Sequence, residues 1–231
     1  MCGRYVSTSS PQQLADVFGA TIDVDPLTPS YNVAPTNDVY AVVRDTQSPA
    51  PVVRSFRWGL VPVWAKDARI GSKMINARAE TLAEKPAFKT LFRSRRLLVP
   101  MDGFYEWQAV PGSKVKQPLF LHRPDRQILV AAGLWAAWRD PAEGPDGPWL
   151  HSLTIITTAA NEMVSAIHDR MPVFLSTEHW DEWLDPANRD TESLSTLLMP
   201  APESLLTADQ VSTAVNNVRN KGPELIETMS S

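Results

Sequence analysis

Alternating apolar and polar positions dominate the middle of the chain and predict a succession of short β-strands. The runs VYAVV (39–43) and VVRSFRW (52–58) are rich in the β-branched and aromatic residues that strands favour. Further runs of the same kind are RLLVP, GFYEWQAV, QPLFLHR, QILVAAGLWAAW and SLTIITTAA. The pattern therefore predicts a series of short strands that together form a sheet.

Helical periodicity is confined to short stretches around these strands. Ser10 followed by Pro11 indicates a helix start, because serine caps the first turn and proline suits the first helical position. The segment RAETLAEKPAF (78–88) also has a helical pattern, which Pro86 must interrupt or end. Short helices are further predicted for NEMVSAIH, TEHWDEWL and ESLSTLLM.

The order of these elements predicts a single α+β domain. No internal repeat, low-complexity tract or Gly/Ser linker divides the chain, and DPAEGPDGP (140–148) is typical of a surface loop. Many short strands with interspersed helices favour a curved, barrel-like and mostly antiparallel sheet with the helices at its periphery. We expect the domain to span residues 2–226 and residues 227–231 to form a short C-terminal tail.

Composition narrows the class of protein. The 231 residues are 43% hydrophobic and 21% charged, which is typical of a soluble globular chain. A single cysteine excludes an intramolecular disulfide and a thiolate zinc cage, and suits a reducing compartment. No run approaches 18 apolar residues and the N-terminus lacks the pattern of a secretory signal, so we expect neither a membrane span nor a signal peptide.

The charge is distributed unevenly. The net charge is −4, but residues 54–96 carry 11 basic and only 3 acidic side chains. A local basic surface is enough to bind a polyanion, because each cation that meets a phosphate releases a counterion. A solvated basic face without a ligand is equally consistent with this count.

The only cysteine, Cys2, directly follows Met1. Removal of Met1 would leave a terminal cysteine whose α-amine has an ordinary pKa of about 7.7–8.0 and whose thiol has one of about 8.5. Such a pair reacts with an aldehyde in a way that an internal cysteine cannot. The amine forms an imine, and the thiol then closes a five-membered thiazolidine. The alternative is a terminal cysteine without a function.

Two further polar stretches interrupt apolar runs. In KMINARAETL (73–82), Asn76 offers hydrogen-bond donors and an acceptor and Arg78 a planar fork suited to phosphate, although both could instead cap a helix. In MDGFYEWQ (101–108), alternation places Phe104 and Glu106 on one face of a strand and Tyr105 and Trp107 on the other. Desolvation among aromatic rings would raise the pKa of Glu106 into a useful acid–base range. A water-facing glutamate on an edge strand is the alternative.

The fourth stretch is SAIHDRMPV (165–173), which contains His168. Histidine titrates near neutral pH and suits proton transfer, although a loop histidine is more often structural. His122, His151 and His179 lie in strand or helix contexts, and we interpret them as structural. Cys2, Glu106 and His168 lack the short paired spacing of a zinc site, so we expect no metal and no cofactor.

Taken together, these blocks resemble the SOS-response-associated peptidase (SRAP) family. They occur in the family's order and span nearly the whole chain. The blocks are MCGRY, YNVAP (31–35), RWGLVPVW (57–64), INARAET (75–81), DGFYEW (102–107), IHDRMP (167–172) and VNNVRNKGPELI (215–226).

The resemblance implies a function in DNA damage. Members of the family capture abasic sites in single-stranded DNA as a thiazolidine crosslink to the N-terminal cysteine. Cys2 would then supply the amine and the thiol, and Asn76 would orient the terminal residue. Glu106 would move protons during sugar ring opening and imine formation, and His168 would assist formation and reversal of the imine.

The resemblance also implies which residues contact DNA. Arg4 and Arg78 would bind phosphates that flank the lesion, and Arg170 would join them. Trp64 and Pro35 would offer apolar surfaces to neighbouring bases. The expected partner is therefore single-stranded DNA that contains abasic sites. We expect a monomer without membrane association, located in the cytoplasm and associated with the nucleoid if the source is bacterial.

Two other classes of function are compatible with the same residues. The first is an N-terminal-nucleophile hydrolase or autopeptidase that removes Met1, with Cys2 as nucleophile and Asn76 in the oxyanion hole. The second is a non-catalytic module that binds single-stranded DNA. An imine that is not closed by the thiol could also undergo β-elimination, which would give a lyase side activity.

Overall fold

The computed structural model describes residues 2–46 and 50–229. The strands are β1 (Tyr5–Ser7), β2 (Thr21–Ile22), β3 (Ser30–Val33), β4 (Asp38–Val43), β5 (Val52–Trp58), β6 (Asn76–Arg78), β7 (Arg96–Met101), β8 (Gly103–Gln108), β9 (Gln117–His122), β10 (Leu129–Arg139), β11 (Trp149–Ala159), β12 (Arg170–Pro172) and β13 (Thr207–Gln210). The α-helices are α1 (Pro11–Phe18), α2 (Lys89–Ser94), α3 (Glu162–Ser165), α4 (Trp180–Leu184) and α5 (Thr191–Thr196).

Five strands form a closed barrel in the order β11–β10–β7–β4–β5. Neighbours pair antiparallel except at the closure, where β5 and β11 run parallel with Arg57 opposite Ser152 and Trp58 opposite Leu153. The interior is filled by apolar side chains such as Leu97 and Val99 of β7. The structure thus confirms a single α+β domain with a barrel-like sheet.

A second, antiparallel sheet packs against the barrel in the order β13–β9–β8–β1–β3. Phe104 of β8 belongs to the same buried cluster as the barrel interior. Tyr105 and the half-buried Trp107 belong to a separate cluster beneath the C-terminal segment. The alternation expected for β8 is confirmed, and it turns Glu106 toward the barrel.

Most predicted elements are present. Helix α1 begins at Pro11, and the Ser10 hydroxyl accepts a hydrogen bond from Gln13 N. All the predicted strands form, as do short helices within NEMVSAIH, TEHWDEWL and ESLSTLLM. Residues 227–229, assigned by sequence to a tail, lie beside β13, where Thr228 bridges to Val211.

The helix predicted over residues 78–88 is wrong. Arg78 ends strand β6, residues Ala79–Thr81 form a single 3-10 turn, and helix α2 begins only at Lys89. Lys85 N still donates to Thr81 O at 3.0 Å, so one helical turn closes before Pro86. Proline has no N–H and disfavours a helical residue before it, which ends the helix there.

Within residues 2–46 and 50–229, no helix has the length and apolar character required to cross a bilayer.

Candidate active site

Cys2 lies just before β1 and is completely buried. Its side chain belongs to the cluster that fills the barrel, and its Sγ lies 3.9 Å from Arg4 O. Burial raises the pKa of the thiol above its ordinary range, and the negative charge of Glu106 acts in the same direction. The thiol is therefore held in its protonated form at neutral pH.

Asn76 holds the backbone of Cys2. Its Nδ2 donates to Cys2 O at 2.8 Å, and its Oδ1 is buried without a hydrogen-bond partner among the described residues. Asn76 begins strand β6, which pairs parallel to β11 with Asn76 opposite Ile155. The Trp58 indole donates to Ile75 O at 3.0 Å and fixes the backbone just before it. An unused amide oxygen therefore remains next to Cys2.

Glu106 lies on β8 and is only 3% exposed. Tyr105 N donates to Arg4 O at 2.9 Å, so the start of the chain runs alongside β8. Burial raises the pKa of the Glu106 carboxyl, and His168 acts in the opposite direction. A carboxyl group with a raised pKa can both donate and accept a proton close to neutral pH.

His168 follows helix α3 and is half-buried. Its backbone N donates to Val164 O at 2.8 Å, and Gln108 of β8 donates to Ala166 O at 3.3 Å. These bonds tie the loop to the strand that carries Glu106. The His168 Nδ1 lies 3.0 Å from Arg170 N and 2.8 Å from Asp169 Oδ1, and these two contacts orient the ring.

The four residues singled out for chemistry therefore come together at the border between the barrel and the second sheet. Asn76 touches Cys2, Glu106 acts electrostatically on the Cys2 thiol, and His168 acts on Glu106. Among the described residues, no three His, Cys, Asp or Glu side chains are grouped to hold a metal ion. The site thus combines a thiol, an amide, a carboxyl and an imidazole.

Of the three arginines expected to bind phosphate, Arg78 is exposed. It lines a cleft with Asn76 that also includes Lys73 and Lys85. Both lysines belong to the basic segment 54–96, and no role was predicted for either. Their closeness to Asn76 in the sequence could have indicated that they lie near the site. The cleft gives the Cys2 site a cationic wall.

Arg170 donates to both carboxylate oxygens of Glu80, at 2.6 and 2.9 Å, and to Thr157 O at 2.6 Å. Its side chain is 13% exposed. A phosphate could bind Arg170 only by competing with Glu80. The pair instead connects the strand after His168 to the turn after Arg78.

Arg4 is half-buried and donates to Asn32 Oδ1 at 2.8 Å and to Val215 O at 3.0 Å. Asn32 is fully buried, and its Nδ2 donates to the carbonyls of Val215, Asn217 and Asn220, each at 3.1 Å. No role was predicted for Asn32, although it lies in the block YNVAP (31–35). Arg4 and Asn32 fasten the C-terminal segment beside the start of the chain.

Trp64 is 59% exposed, which is unusual for so large an apolar side chain. Its segment is anchored by a close approach of Gly59 and Gly71, where a Cβ on Gly59 would lie 2.5 Å from Gly71 O. Pro35 is half-buried, and Thr36 N after it donates to Trp58 O at 2.8 Å. The backbone contacts that fix the segments of Trp64 and Pro35, the two candidate base-stacking residues, thus both lie close to Trp58.

The site thus contains a buried cysteine near the start of the described chain, an amide bound to its carbonyl, and a carboxyl and an imidazole linked to it electrostatically. Residues 1–218 match the family described as SOS response associated peptidase (SRAP), and the chain belongs to that family.

Relatives and solved structures agree with this assignment. The chain is 41% identical over 230 residues to the abasic site processing protein YoqW of Bacillus subtilis, covering 99% of this chain and 100% of that protein. It is 33% identical to the abasic site processing protein HMCES of Pongo abelii, covering 88% and 66%. A crystal structure of a Bacteroides thetaiotaomicron protein superposes with a TM-score of 0.86 at 24% identity, covering 99% and 100%. The crystal structure of a phage-related protein of Bordetella bronchiseptica superposes with a TM-score of 0.69 at 30% identity, covering 91% of this chain and 94% of that protein.

Proposed function

We propose that this protein processes abasic sites, and that it captures them in single-stranded DNA as a thiazolidine crosslink to Cys2. The names of its relatives support abasic-site processing. The observation that carries the finer proposal is the enclosure of Cys2, whose carbonyl is held by Asn76 and whose thiol lies within the field of Glu106. That arrangement supports residue 2, rather than an internal side chain, as the reactive group once Met1 has been removed.

The reaction begins at the amine. Once Met1 has been removed, the α-amine of Cys2 attacks the C1′ aldehyde of the ring-opened sugar, and the adduct loses one water to give an imine. The Sγ of Cys2 then adds to the imine carbon, and the thiol proton passes to the nitrogen. One C–N and one C–S bond form, and one water leaves. Burial raises the pKa of the thiol, which fits an order in which the amine adds first and the thiol closes the ring.

Three side chains assist these steps. Glu106, with its raised pKa, protonates the departing oxygen and regains a proton from the nitrogen as the imine forms. It then relays the thiol proton to the nitrogen as the ring closes. His168 moves the proton between the sugar oxygens during ring opening and acts again when the imine re-forms. Asn76 is a positioning residue, because it binds the Cys2 carbonyl and leaves its Oδ1 for the amine or the sugar.

The geometry argues against the hydrolase alternative. A peptidase that cleaves before Cys2 must stabilise the oxyanion on the carbonyl of residue 1. The Asn76 Nδ2 is instead bound to the carbonyl of Cys2, one peptide unit away.

DNA would enter along the basic cleft. Arg78, Lys73 and Lys85 would neutralise phosphates beside Asn76, and the exposed Trp64 would stack on a neighbouring base. Such contacts tolerate any sequence, as capture of a lesion requires. Arg4 would contribute mainly by fixing the C-terminal segment of the protein. Pro35 would contribute by packing beside the bound DNA strand.

Intact mass spectrometry after incubation with a single-stranded oligonucleotide that carries one abasic site tests the proposal. We expect protein without Met1 to gain the oligonucleotide mass minus one water, without borohydride. Cys2→Ala keeps the amine but not the thiol, so it should give an adduct only with borohydride and should cleave the strand by β-elimination.

Two results would refute the proposal. One is a stable adduct with Cys2→Ala in the absence of borohydride, which would move the reactive group elsewhere. The other is wild-type protein that lacks Met1 yet forms no adduct while binding the oligonucleotide, which would indicate a non-catalytic binding module.

A further inference from the structure

We propose that DNA flanking the lesion continues past Trp64 onto a second surface at one end of the barrel. This surface, called the barrel-end surface, consists of Arg95, Trp135, Arg139, Trp149 and His151. The inference rests on the proposed function and adds where an arm of the same DNA strand binds.

Strand pairing creates the barrel-end surface. In the pairing of β10 with β11, Trp135 lies opposite Leu153, and Arg139 lies opposite Trp149. Side chains alternate along a strand, so Trp135 and Arg139 share one face with Trp149 and His151. It is the face that, deeper in the barrel, forms the apolar interior. At the barrel end this face opens to solvent, and Trp149 is 54% exposed.

Both arginines of the surface stack on indole rings. The guanidinium carbon of Arg95 lies 4.7 Å from the Trp135 ring centre, and that of Arg139 lies 4.2 Å from the Trp149 ring centre. Stacking uses the flat faces of a guanidinium and leaves its N–H edge available to phosphate. It also orders the side chain in advance, which lowers the entropic cost of binding.

Neither arginine is neutralised by an acid. Within residues 2–46 and 50–229, Arg95 and Arg139 form no ion pair, and the Arg139 Nε is buried without a hydrogen-bond partner. By contrast, Arg54 on the neighbouring β5 is bound by Asp23 and Asp45. The barrel-end surface therefore combines uncompensated cations with aromatic rings, the combination that binds single-stranded nucleic acid.

The surface connects with the Cys2 site through two adjoining grooves. The cleft that contains Asn76 and Arg78 also includes Lys85 and Ala87. Ala87 is shared with a second groove, lined by Trp64 and Arg95 among others. Arg95 then stacks on Trp135. A strand that follows these contacts passes from the lesion site to Trp64, and from Trp64 to the barrel end.

Charge also sets where the path stops. The loop beyond Arg139 and Trp149 carries three acidic residues, Asp140, Glu143 and Asp146. They would repel further phosphates. Trp135 and Arg139 are separated by four strand residues, or about 13 Å. That span matches about four stacked nucleotides at about 3.4 Å each. The barrel-end surface should thus add a short, defined segment to the binding site.

The test compares oligonucleotides of two lengths, about five and about fifteen nucleotides, within the range of single-strand binding sites. Each carries a tetrahydrofuran analogue of the abasic site, which has no aldehyde, so fluorescence anisotropy measures affinity alone. We expect wild-type protein to bind the long oligonucleotide more tightly when it is extended on one particular side. Arg95→Ala should lower the affinity for the long oligonucleotide about tenfold relative to the short one. It should also reduce the slope of log binding constant against log salt concentration by about 0.7 for the long oligonucleotide.

Arg93→Ala is the matched control, because Arg93 is exposed and lies at the end of the same helix with the same charge. Trp149→Ala is a second test variant at an exposed position, and it should lower long-oligonucleotide affinity about tenfold through lost stacking. The length-dependent gain should survive Arg93→Ala and fall with both test variants.

Three outcomes would overturn the inference. Wild-type affinity could be independent of length. Arg93→Ala could reduce the gain as much as Arg95→Ala, which would indicate bulk charge. Both test variants could weaken short and long oligonucleotides equally. A failure of the proposed function is distinguishable, because wild-type protein would then fail to crosslink even a short oligonucleotide with a true abasic site.

Discussion

The barrel interior and the surroundings of Cys2 are parts of one buried cluster, yet they contain different kinds of side chain. Leu97 and Val99 in the barrel are apolar, so their burial stabilises the fold. Cys2 and Glu106 are just as buried, and for them burial opposes ionisation and raises both pKa values. The comparison teaches that exclusion of water stabilises the fold in the barrel interior, whereas at the border with the second sheet it shifts the pKa values of ionisable groups.

The largest effect is expected from Glu106→Gln, which keeps the shape of the site and removes its proton carrier. The single-turnover rate of crosslinking to a short abasic oligonucleotide should fall about 10²–10⁴-fold, the usual contribution of a general acid–base group. Thermal stability at neutral pH should not fall, because the variant no longer buries a carboxylate.

Glu203→Gln serves as the control, since it removes an equal charge from an exposed position. It should leave the rate unchanged. If Glu106→Gln crosslinks as fast as wild-type protein, Glu106 is a structural residue. The buried carboxyl would then have no part in the chemistry that distinguishes the two regions.

Leu97→Ala probes the other region. Truncation of a fully buried leucine should lower the free energy of unfolding by about 2–5 kcal/mol in urea titrations. The crosslinking rate of the folded fraction should remain close to that of wild-type protein, because the Leu97 side chain has no group that can transfer a proton. Val115→Ala, at a 60% exposed position, should change stability by no more than about 0.5 kcal/mol. A large loss of rate with Leu97→Ala would show that the barrel interior tunes the chemistry directly.

Local sequence patterns predict the elements and faces of this fold well. The start of α1 followed from Ser10 and Pro11, and the shared face of Phe104 and Glu106 followed from alternation along β8. Both depend on neighbours within a few residues, where capping and side-chain direction are decided. Such patterns also singled out the four chemical residues, although their roles came from the family resemblance.

Long-range pairings were not predictable from these patterns. The parallel contact of β5 with β11 closes the barrel, and it joins Trp58 to Leu153 across a long stretch of sequence. Alternation tells which face of a strand is buried but not which strand lies beside it. Asn76 was expected near a helix start for the same reason, because nothing local reveals that β11 will pair with it. The roles of Asn32 and of the barrel-end surface likewise emerge only after folding.

The smallest expected effect is a pH dependence that separates the two regions. Burial raises the pKa of Glu106 in the folded state, opposed by His168, whereas the unfolded chain has the ordinary value of about 4.3. Below that value both states are protonated and Glu106 costs nothing. As the pH rises through the window between the two pKa values, the unfolded state loses its proton first, so the stability of wild-type protein falls relative to Glu106→Gln.

Thermal unfolding of both proteins across this range measures the difference. The stability difference between Glu106→Gln and wild-type protein should grow above about pH 4.3 and level off above the folded-state pKa of Glu106. Its final size should be about 1.4 kcal/mol for each pH unit by which the folded-state pKa exceeds the unfolded value. Leu97→Ala should show a constant difference from wild-type protein, because its cavity does not titrate. A Glu106→Gln difference that is equally flat would mean that the carboxyl is hydrated in solution. Exclusion of water at the border of the barrel would then not be the cause of the proton-transfer role proposed for Glu106.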